Sequence, residues 1–419
     1  MIMLQNQDIN KQMNNQPILN IGCLGSVSDG KSTTVFQLTG IKTQKDSREQ
    51  TRNITIKQGY ANMKIWKDSS GKYSATNSVE KKEDCELAHH ISFVDCPGHQ
   101  TLILTMLSSV SLMKGALVVV SAAEDIRTKP QLIQHLAAAK IAGLTKLIII
   151  FNKLDLVTKD VALERYEQLN TLLSELEIVP SYIIPTALSR KIGLQNVINA
   201  IMELFPPTST VVDEDTEFKI TRSFDINKPG INWDAVKGGI IGGGLITGKL
   251  KVGDAIEIRP GLIGKTNGNI SASPIITTVL SMETDKIPLD NITPGGLIGI
   301  ATNVDPFYTK DDKLAGQIVG LSGTLPSIYT EIKLEPTLTT IFEGNWTPQV
   351  KDKMFLQIGN VNTECELINI TKSKFTFKLS KPCCIKNDSL IIICQPSDND
   401  ALKIVGYGKL DKKSTPFIE

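Results

Sequence analysis

From residue 18 to residue 205, short apolar runs alternate with stretches whose apolar positions recur at helical spacing. The runs 18–24, 91–95, 116–121, 147–152 and 182–185 predict buried strands. Residues 32–38, 100–113, 130–142, 159–176 and 193–205 predict helices. Pro130 suits a first helical turn, Gly40 and Gly143 suit helix stops, and Pro206-Pro207 closes the last helix. Such alternation predicts an α/β domain, a mostly parallel sheet with helices on both faces. Residues 67–86 break the pattern; polar, charged and Ser/Gly-containing, they read as a loose surface insertion. Residues 1–17, rich in Asn and Gln with little periodicity, read as a disordered tail.

Beyond Pro207 the texture changes. A polar, acidic linker at 212–217 leads into short β-rich runs at 218–224, 239–249, 255–259, 275–281 and 297–302. Lys228-Pro229-Gly230, Val252-Gly253-Asp254 and Pro294-Gly295-Gly296 punctuate them as turns. Short strands at regular spacing predict a barrel. A second β-rich set follows from about residue 325, at 328–333, 354–358, 366–370, 374–379, 390–393 and 402–408. The expected organisation is a tail (1–17), an α/β P-loop domain (18–210) and two β-barrel domains (211–324 and 325–419).

Composition narrows the partners and the compartment. The 419 residues carry a formal net charge of +1, so nucleic acid can be met only by a local patch. Seven cysteines, mostly inside apolar runs and without a C-x-x-C pair, fit reduced buried thiols better than a disulfide framework. The longest apolar runs, such as 116–120, are too short to cross a bilayer, and the N-terminus lacks a signal-peptide pattern. A cytoplasmic protein with no membrane contact is expected.

The candidate chemistry begins at Gly25-Ser26-Val27-Ser28-Asp29-Gly30-Lys31-Ser32, which matches the phosphate-loop pattern G-x-x-x-x-G-K-[ST] between a predicted strand and a predicted helix. Glycines let such a loop turn its N–H groups toward an anion, and the helix N-terminus adds its positive dipole end. Gly25, Ser28, Asp29, Gly30, Lys31, Ser32 and Thr33 are therefore candidate nucleotide contacts, with Lys31 reaching the outer phosphates and the Ser32 hydroxyl on magnesium. Asp95-Cys96-Pro97-Gly98 ends the next strand of the pattern. Asp95 is placed to hold Mg2+, the Gly98 N–H to sense the γ-phosphate, and His99 to orient an attacking water. Thr55, between the two motifs, is a candidate second magnesium ligand ordered by the γ-phosphate. Asn152-Lys153-Leu154-Asp155 follows a further strand. Asp155 can accept from both N1–H and N2–H of guanine, a pair adenine does not offer. Asn152 braces that loop, the Lys153 stem packs on the base, and an N–H near Ala187 is within reach of guanine O6.

Residues 51–66 (TRNITIKQGYANMKIW), 91–99 (ISFVDCPGH), 222–261 and 294–299 (PGGLIG) together resemble the gamma subunits of eukaryotic and archaeal translation initiation factor 2. The resemblance runs from about residue 18 to 408. It implies a GTP-dependent carrier of initiator methionyl-tRNA built like elongation factor Tu, turning GTP over to GDP. It also implies alpha and beta subunits, a GTPase-activating factor, an exchange factor and the small ribosomal subunit as partners. Asn53 and Tyr60 match the family's switch-adjacent pattern and are candidates for the tRNA acceptor-end pocket. Tyr60 reads equally as a strand aromatic packed on the core.

Departures from the family are specific. Ser26 stands where the family usually has His, and Gln100 where it usually has Asp. The family usually carries a cysteine zinc knuckle between the switches, whereas 67–86 holds only Cys85. His89-His90 reads as the start of a strand, and a structural site wants four ligands, so zinc is not expected. Two other readings differ in kind: a selenocysteine-specific or general elongation factor, and a non-hydrolysing scaffold of the same fold. The motifs at 222–230 and 237–244 favour the initiation factor; Lys31, Thr55, Asp95 and His99 argue against the scaffold.

Overall fold

The computed structural model describes residues 10, 12–43, 58–77, 80–98, 103–208, 214–266, 269–339, 346–396 and 402–418. The chain divides into two compact units, Met1–Ser209 and Thr210–Glu419.

The first unit is a seven-stranded sheet in the order β3-β2-β4-β1-β5-β6-β7. Its strands are β1 (Leu19–Leu24), β2 (Gly59–Lys67), β3 (Tyr73–Asn77), β4 (Glu86–Asp95), β5 (Gly115–Ser121), β6 (Leu147–Asn152) and β7 (Tyr182–Pro185). β1 pairs in parallel with β4 and β5, and β5, β6 and β7 continue the parallel series. β2 runs antiparallel between β4 and β3. The helices are α1 (Lys31–Thr39), α2 (Ile103–Val110), α3 (Pro130–Ile141), α4 (Lys159–Glu175) and α5 (Leu194–Leu204). Along β5 both alternating sets are buried, Leu117 and Val119 on one face, Ala116, Val118 and Val120 on the other. Residues buried on both faces read as continuous apolar runs, which is why these strands stand out in the sequence. Ile21, Cys23, Phe93 and Ile150 of the sheet share one core with Val35 and Leu38 of α1 and Val197 and Ile201 of α5.

Two stretches depart from the sequence reading. Residues 73–77, expected in a loose insertion, form the edge strand β3. Its alternation is short, Tyr73 and Ala75 alone facing the core; backbone pairing with β2 and the Gln195 Nε2 bond to Tyr73 O also hold it. Within the expected tail, residues 12–15 form a helical turn and Met13 is buried. The Met13 carbonyl meets His90 Nδ1 at 2.7 Å, and Lys64 Nζ donates to Asn14 O at 3.1 Å.

The second unit holds two barrels. In the first, β8 (Glu217–Phe224), β9 (Ile240–Thr247), β11 (Ala255–Thr266), β12 (Asn269–Thr284), β15 (Ile298–Thr302) and β16 (Ile318–Leu321) close through a β11–β12 pairing, with β13 (Ile287–Leu289) appended to β12. β10 (Leu250–Lys251) and β14 (Asn291–Ile292) form a small ribbon beside it. Phe218, Ile220, Ile241, Ile256 and Ile300 fill this barrel. The second is a closed barrel of β17 (Ile328–Leu338), β18 (Lys353–Ile358), β19 (Val361–Ile370), β20 (Phe375–Cys384), β21 (Leu390–Pro396) and β22 (Leu402–Leu410). Ile332, Leu356, Phe377 and Ile393 pack its interior. Between the barrels, Arg259 Nε donates to Glu257 Oε1 at 2.6 Å. Arg259 Nη1 donates to the carbonyls of Leu325 and Pro326, and Gly323 N donates to Glu257 Oε2. Asn360 of the second barrel donates through Nδ2 to Ile220 O of the first at 2.9 Å.

Two adjacent histidines on β4 make the first unit acid-sensitive. His89 Nε2 meets Phe205 O at 2.8 Å, and burial holds its pKa down at about 4; burial holds His90 at about 3. Below the ordinary histidine value of about 6.5, the unfolded chain binds protons that the folded rings refuse, so stability falls as pH drops. Replacing both by Gln, which retains an N–H donor, is expected to make the loss of stability between pH 7.5 and 5.5 smaller by roughly 2–3 kcal/mol. Urea unfolding at the two pH values checks this.

Candidate functional site

The site lies where β1, β4, β5 and β6 end. Parallel pairing aligns their C-termini: Cys23 sits beside Asp95, and Ser121 beside Asn152. The chain leaves β1 through residues 25–30 and enters α1 at Lys31. Ser28 and Gly30 both hold positive φ, 65° and 106°. A Cβ on Gly30 would lie 2.6 Å from Asn152 Nδ2, so both the conformation and the space call for glycine. The loop is fixed from behind. Gly25 N–H donates to His135 Nδ1 at 3.0 Å, which places that ring's proton on Nε2. Burial, with Lys31 nearby, holds the His135 pKa at about 3, so the ring stays neutral and accepting. The Asp29 carboxylate accepts from Ser26 N at 2.8 Å, from Ser121 N at 3.3 Å and from Lys129 Nζ. Burial pushes the Asp29 pKa up, against Lys129 and Lys31. Lys31 is itself buried, its Nζ donating to Ser26 O at 2.7 Å, whereas Ser28 and Thr33 are exposed.

Asp95 closes one side. Its Oδ2 accepts from Ser32 Oγ at 2.8 Å and from Thr43 Oγ1 at 2.6 Å. Two hydroxyls around a carboxylate are hard oxygen donors, a set that suits a magnesium ion. The turn after Asp95 is tied to the end of β1, with Cys96 N donating to Cys23 O at 3.2 Å. A Cβ at Gly98 would press on Lys31 Nζ and come within 2.9 Å of Val27 N, so any side chain there would displace the loop. Lys31, Ser32, Asp95 and Gly98 are thus brought together. Asn53, Thr55 and His99 lie outside the described residues.

On the other side, Asn152 Nδ2 donates to Asp29 O at 3.1 Å. Its Oδ1 accepts from Thr186 Oγ1 and Leu188 N, tying the phosphate loop to the segment after β7. Lys153 holds a left-handed conformation at φ 64°, and Asp155 pairs with Arg190 Nε at 3.1 Å. Near Ala187, where an N–H was expected within reach of guanine O6, the Ala187 N–H itself donates to Ile192 O at 3.1 Å, a bridge formed as the chain doubles back before α5. Tyr60 stands on β2, one residue beyond the Gly59–Asp95 pairing, and is half-buried. Its hydroxyl donates to Gln58 Oε1, and Gln58 Nε2 donates to Thr105 O and Ser108 Oγ of α2.

Sequence reasoning missed Thr43, Lys129 and His135, none of which belongs to a motif. One signal marks Lys129. It caps the N-terminus of α3, where the helix dipole disfavours a cation, so its presence there asks for a carboxylate close by.

Comparison with known proteins follows the same division. Residues 16–207 match the family model described as the elongation factor Tu GTP binding domain, and residues 342–410 match that of initiation factor eIF2 gamma, C terminal. The eukaryotic translation initiation factor 2 subunit gamma of Encephalitozoon cuniculi is 36% identical over 413 residues, spanning 95% of this chain and 93% of that protein. The translation initiation factor 2 subunit gamma of Thermoplasma volcanium is 38% identical over 405 residues, spanning 94% and 97%. Among solved structures, a bacterial selenocysteine-specific elongation factor aligns with TM-score 0.71 at 18% identity, over 95% of this chain; the chain spans 59% of that structure's length. Elongation factor SelB from Methanococcus maripaludis, in complex with a GTP analogue, aligns with TM-score 0.71 at 20% identity, spanning 96% of this chain and 80% of that one. These two likenesses show the fold.

The Asp155 carboxylate, braced by Arg190, gives a direct test of base reading. Asp155→Asn is expected to weaken GDP binding by about 10²-fold or more and to improve xanthine nucleotide binding, because an amide can donate to the 2-oxo group of xanthine. Competition between GDP and XDP on one preparation checks it.

Proposed function

The chain belongs to the family of gamma subunits of translation initiation factor 2 and is a translational GTPase of initiation; from that premise we propose how its residues bind and turn over GTP, and what the turnover serves. The observation that carries the reading is the meeting of Lys31, Ser32, Asp95 and Gly98 beside an Asn152 bonded to the phosphate loop's own backbone. Gly25 N–H and Ser26 N–H are spent on His135 and Asp29, so the amides of 27, 28 and 30 and the Lys31 ammonium take the phosphates. Ser32, Asp95 and Thr55 would hold a magnesium ion, which would supply positive charge against that developing on the phosphates. His99 orients the attacking water, Gly98 N–H senses the γ-phosphate, and Asp155 reads guanine with Asn152 and Lys153 shaping the base loop.

In the same proposal the α/β domain (18–210) is followed by two barrel domains (211–324 and 325–419). The GTP form carries initiator methionyl-tRNA to the small ribosomal subunit in the cytoplasm, together with alpha and beta subunits. A GTPase-activating factor and an exchange factor set the two ends of the cycle. The C-terminal match to initiation factor eIF2 gamma supports this over a selenocysteine-specific or general elongation factor. Asn53 and Tyr60 serve the acceptor-end pocket. The Tyr60–Gln58–α2 bonds support that role, because they join the strand carrying the ring to the helix that follows the Asp95–Gly98 turn. Pull-down with charged initiator tRNA, in GTP against GDP, tests the reading: retention in GTP alone supports it, and equal retention sinks it.

Two residue-level outcomes follow. No arginine in the sequence announces itself as an internal finger, and fingers supplied in trans contribute about 10³–10⁵-fold. The isolated chain should therefore hydrolyse GTP slowly. His99→Ala should abolish the partner-stimulated rate in single-turnover assays while GTP binding persists. Tyr60→Ala should weaken methionyl-tRNA binding about 5- to 150-fold, the loss of one base–aromatic stack, with little change in GTP affinity. Measuring both affinities in one preparation separates this from a core-packing role, which would lower the two together.

A further inference from the structure

An acidic side chain in the middle of an anion-binding loop has the wrong sign for its place, and Asp29 occupies such a place. Its side chain is fully buried, and its carboxylate accepts from Ser26 N and Ser121 N. Its main-chain oxygen takes the Asn152 amide, so one residue joins the phosphate-binding and base-binding segments. Two N–H donors do not neutralise a carboxylate held near bound phosphates. Lys129 does. Its side chain is 4% exposed, its Nζ donates to Asp29 Oδ1, and Glu124 Oε2 lies 3.3 Å away on the outer side. The lysine stands at the N-terminus of α3 at a cost in both burial and dipole, and the two carboxylates offset that cost.

We propose that Lys129 is a positioning residue for nucleotide binding: its ammonium cancels the Asp29 charge, letting Asp29 brace the phosphate loop from behind without repelling the phosphates. The proposal rests on the GTPase reading above and extends it to a residue that does not touch the nucleotide. Without the ammonium, Asp29 faces the phosphates with uncompensated charge or must take up a proton as they bind, and the free energy of either is lost from binding. Affinity for GDP and GTP falls alike, because both carry the phosphates the loop grips.

The test is a double-variant cycle on the full chain, with release and affinity of a fluorescent GDP as the readout. Lys129→Met keeps the apolar stem and removes the charge. It should weaken GDP at least tenfold, chiefly through faster release. Adding Asp29→Asn should bring affinity back to within about threefold of the unaltered chain, since the amide still accepts from Ser26 N and no charge needs cancelling. A role for Lys129 in packing alone predicts no loss in Lys129→Met and no rescue by the second change. Lys129→Met binding within twofold of the unaltered chain, or a double variant as weak as Lys129→Met, would overturn the proposal and leave the GTPase reading standing. An unaltered chain that binds no guanine nucleotide would overturn both. Should Lys129→Met not fold, Asp29→Asn is compared with the double variant. Equal GDP affinity supports the proposal, and a tenfold difference refutes it.

Discussion

The buried carboxylate of Asp29 ties Ser26 within its own loop and holds two separate stretches of chain to that loop, Ser121 at the end of β5 and Lys129 at the start of α3. Through its main-chain oxygen it also holds Asn152 at the end of β6. Everything that faces a nucleotide in this fold is carried by segments that have no reason of their own to stay put. Loops at the ends of parallel strands carry unpaired backbone groups, and a bond network that satisfies them also fixes their spacing. The position at which α1 begins, and hence where Lys31 and Ser32 point, follows from that anchoring.

The sheet supplies the other half of the geometry. With β1, β4, β5 and β6 parallel and in register, their C-terminal residues emerge along one edge, which is where open α/β sheets collect their ligands. Cys23 beside Asp95 brings that carboxylate to the phosphate loop, and Ser121 beside Asn152 brings the 152–155 loop to its other flank. The antiparallel strand β2 enters this arrangement through the pairing of Gly59 with Asp95.

Much of this was legible in the residues, for identifiable reasons. Strands buried on both faces, such as LIIIFN, advertise themselves as unbroken apolar runs, and the phosphate loop is recognisable because backbone geometry demands glycines at fixed offsets. Edge strand β3 was not legible, because YSATN offers only Tyr73 and Ala75 to the core, both half-buried, and leans on its pairing with β2. The ordered turn at 12–15 was hidden for a related reason: its place depends on Met13 and on carbonyls that meet His90 and Lys64 from a distant part of the chain. In the first barrel, β11 and β12 run well past the apolar segments 255–259 and 275–281, since their outer lengths pair with each other as a ribbon. At the site, His135 and Lys129 escape any motif because their partners lie about a hundred residues away, and only the three-dimensional path brings them together.

The Arg259 guanidinium between the barrels has a mechanical consequence. A hinge needs residues whose backbone groups can exchange partners at little cost as their dihedral angles swing. In the connection from β16 to β17, Gly323 N–H is committed to Glu257, and the carbonyls of Leu325 and Pro326 are committed to Arg259, in a setting from which water is largely excluded. Asn360 adds a second tie from barrel to barrel. Bending at that connection would strip a buried ion pair of its partners, so these ties oppose any flexing of one barrel against the other.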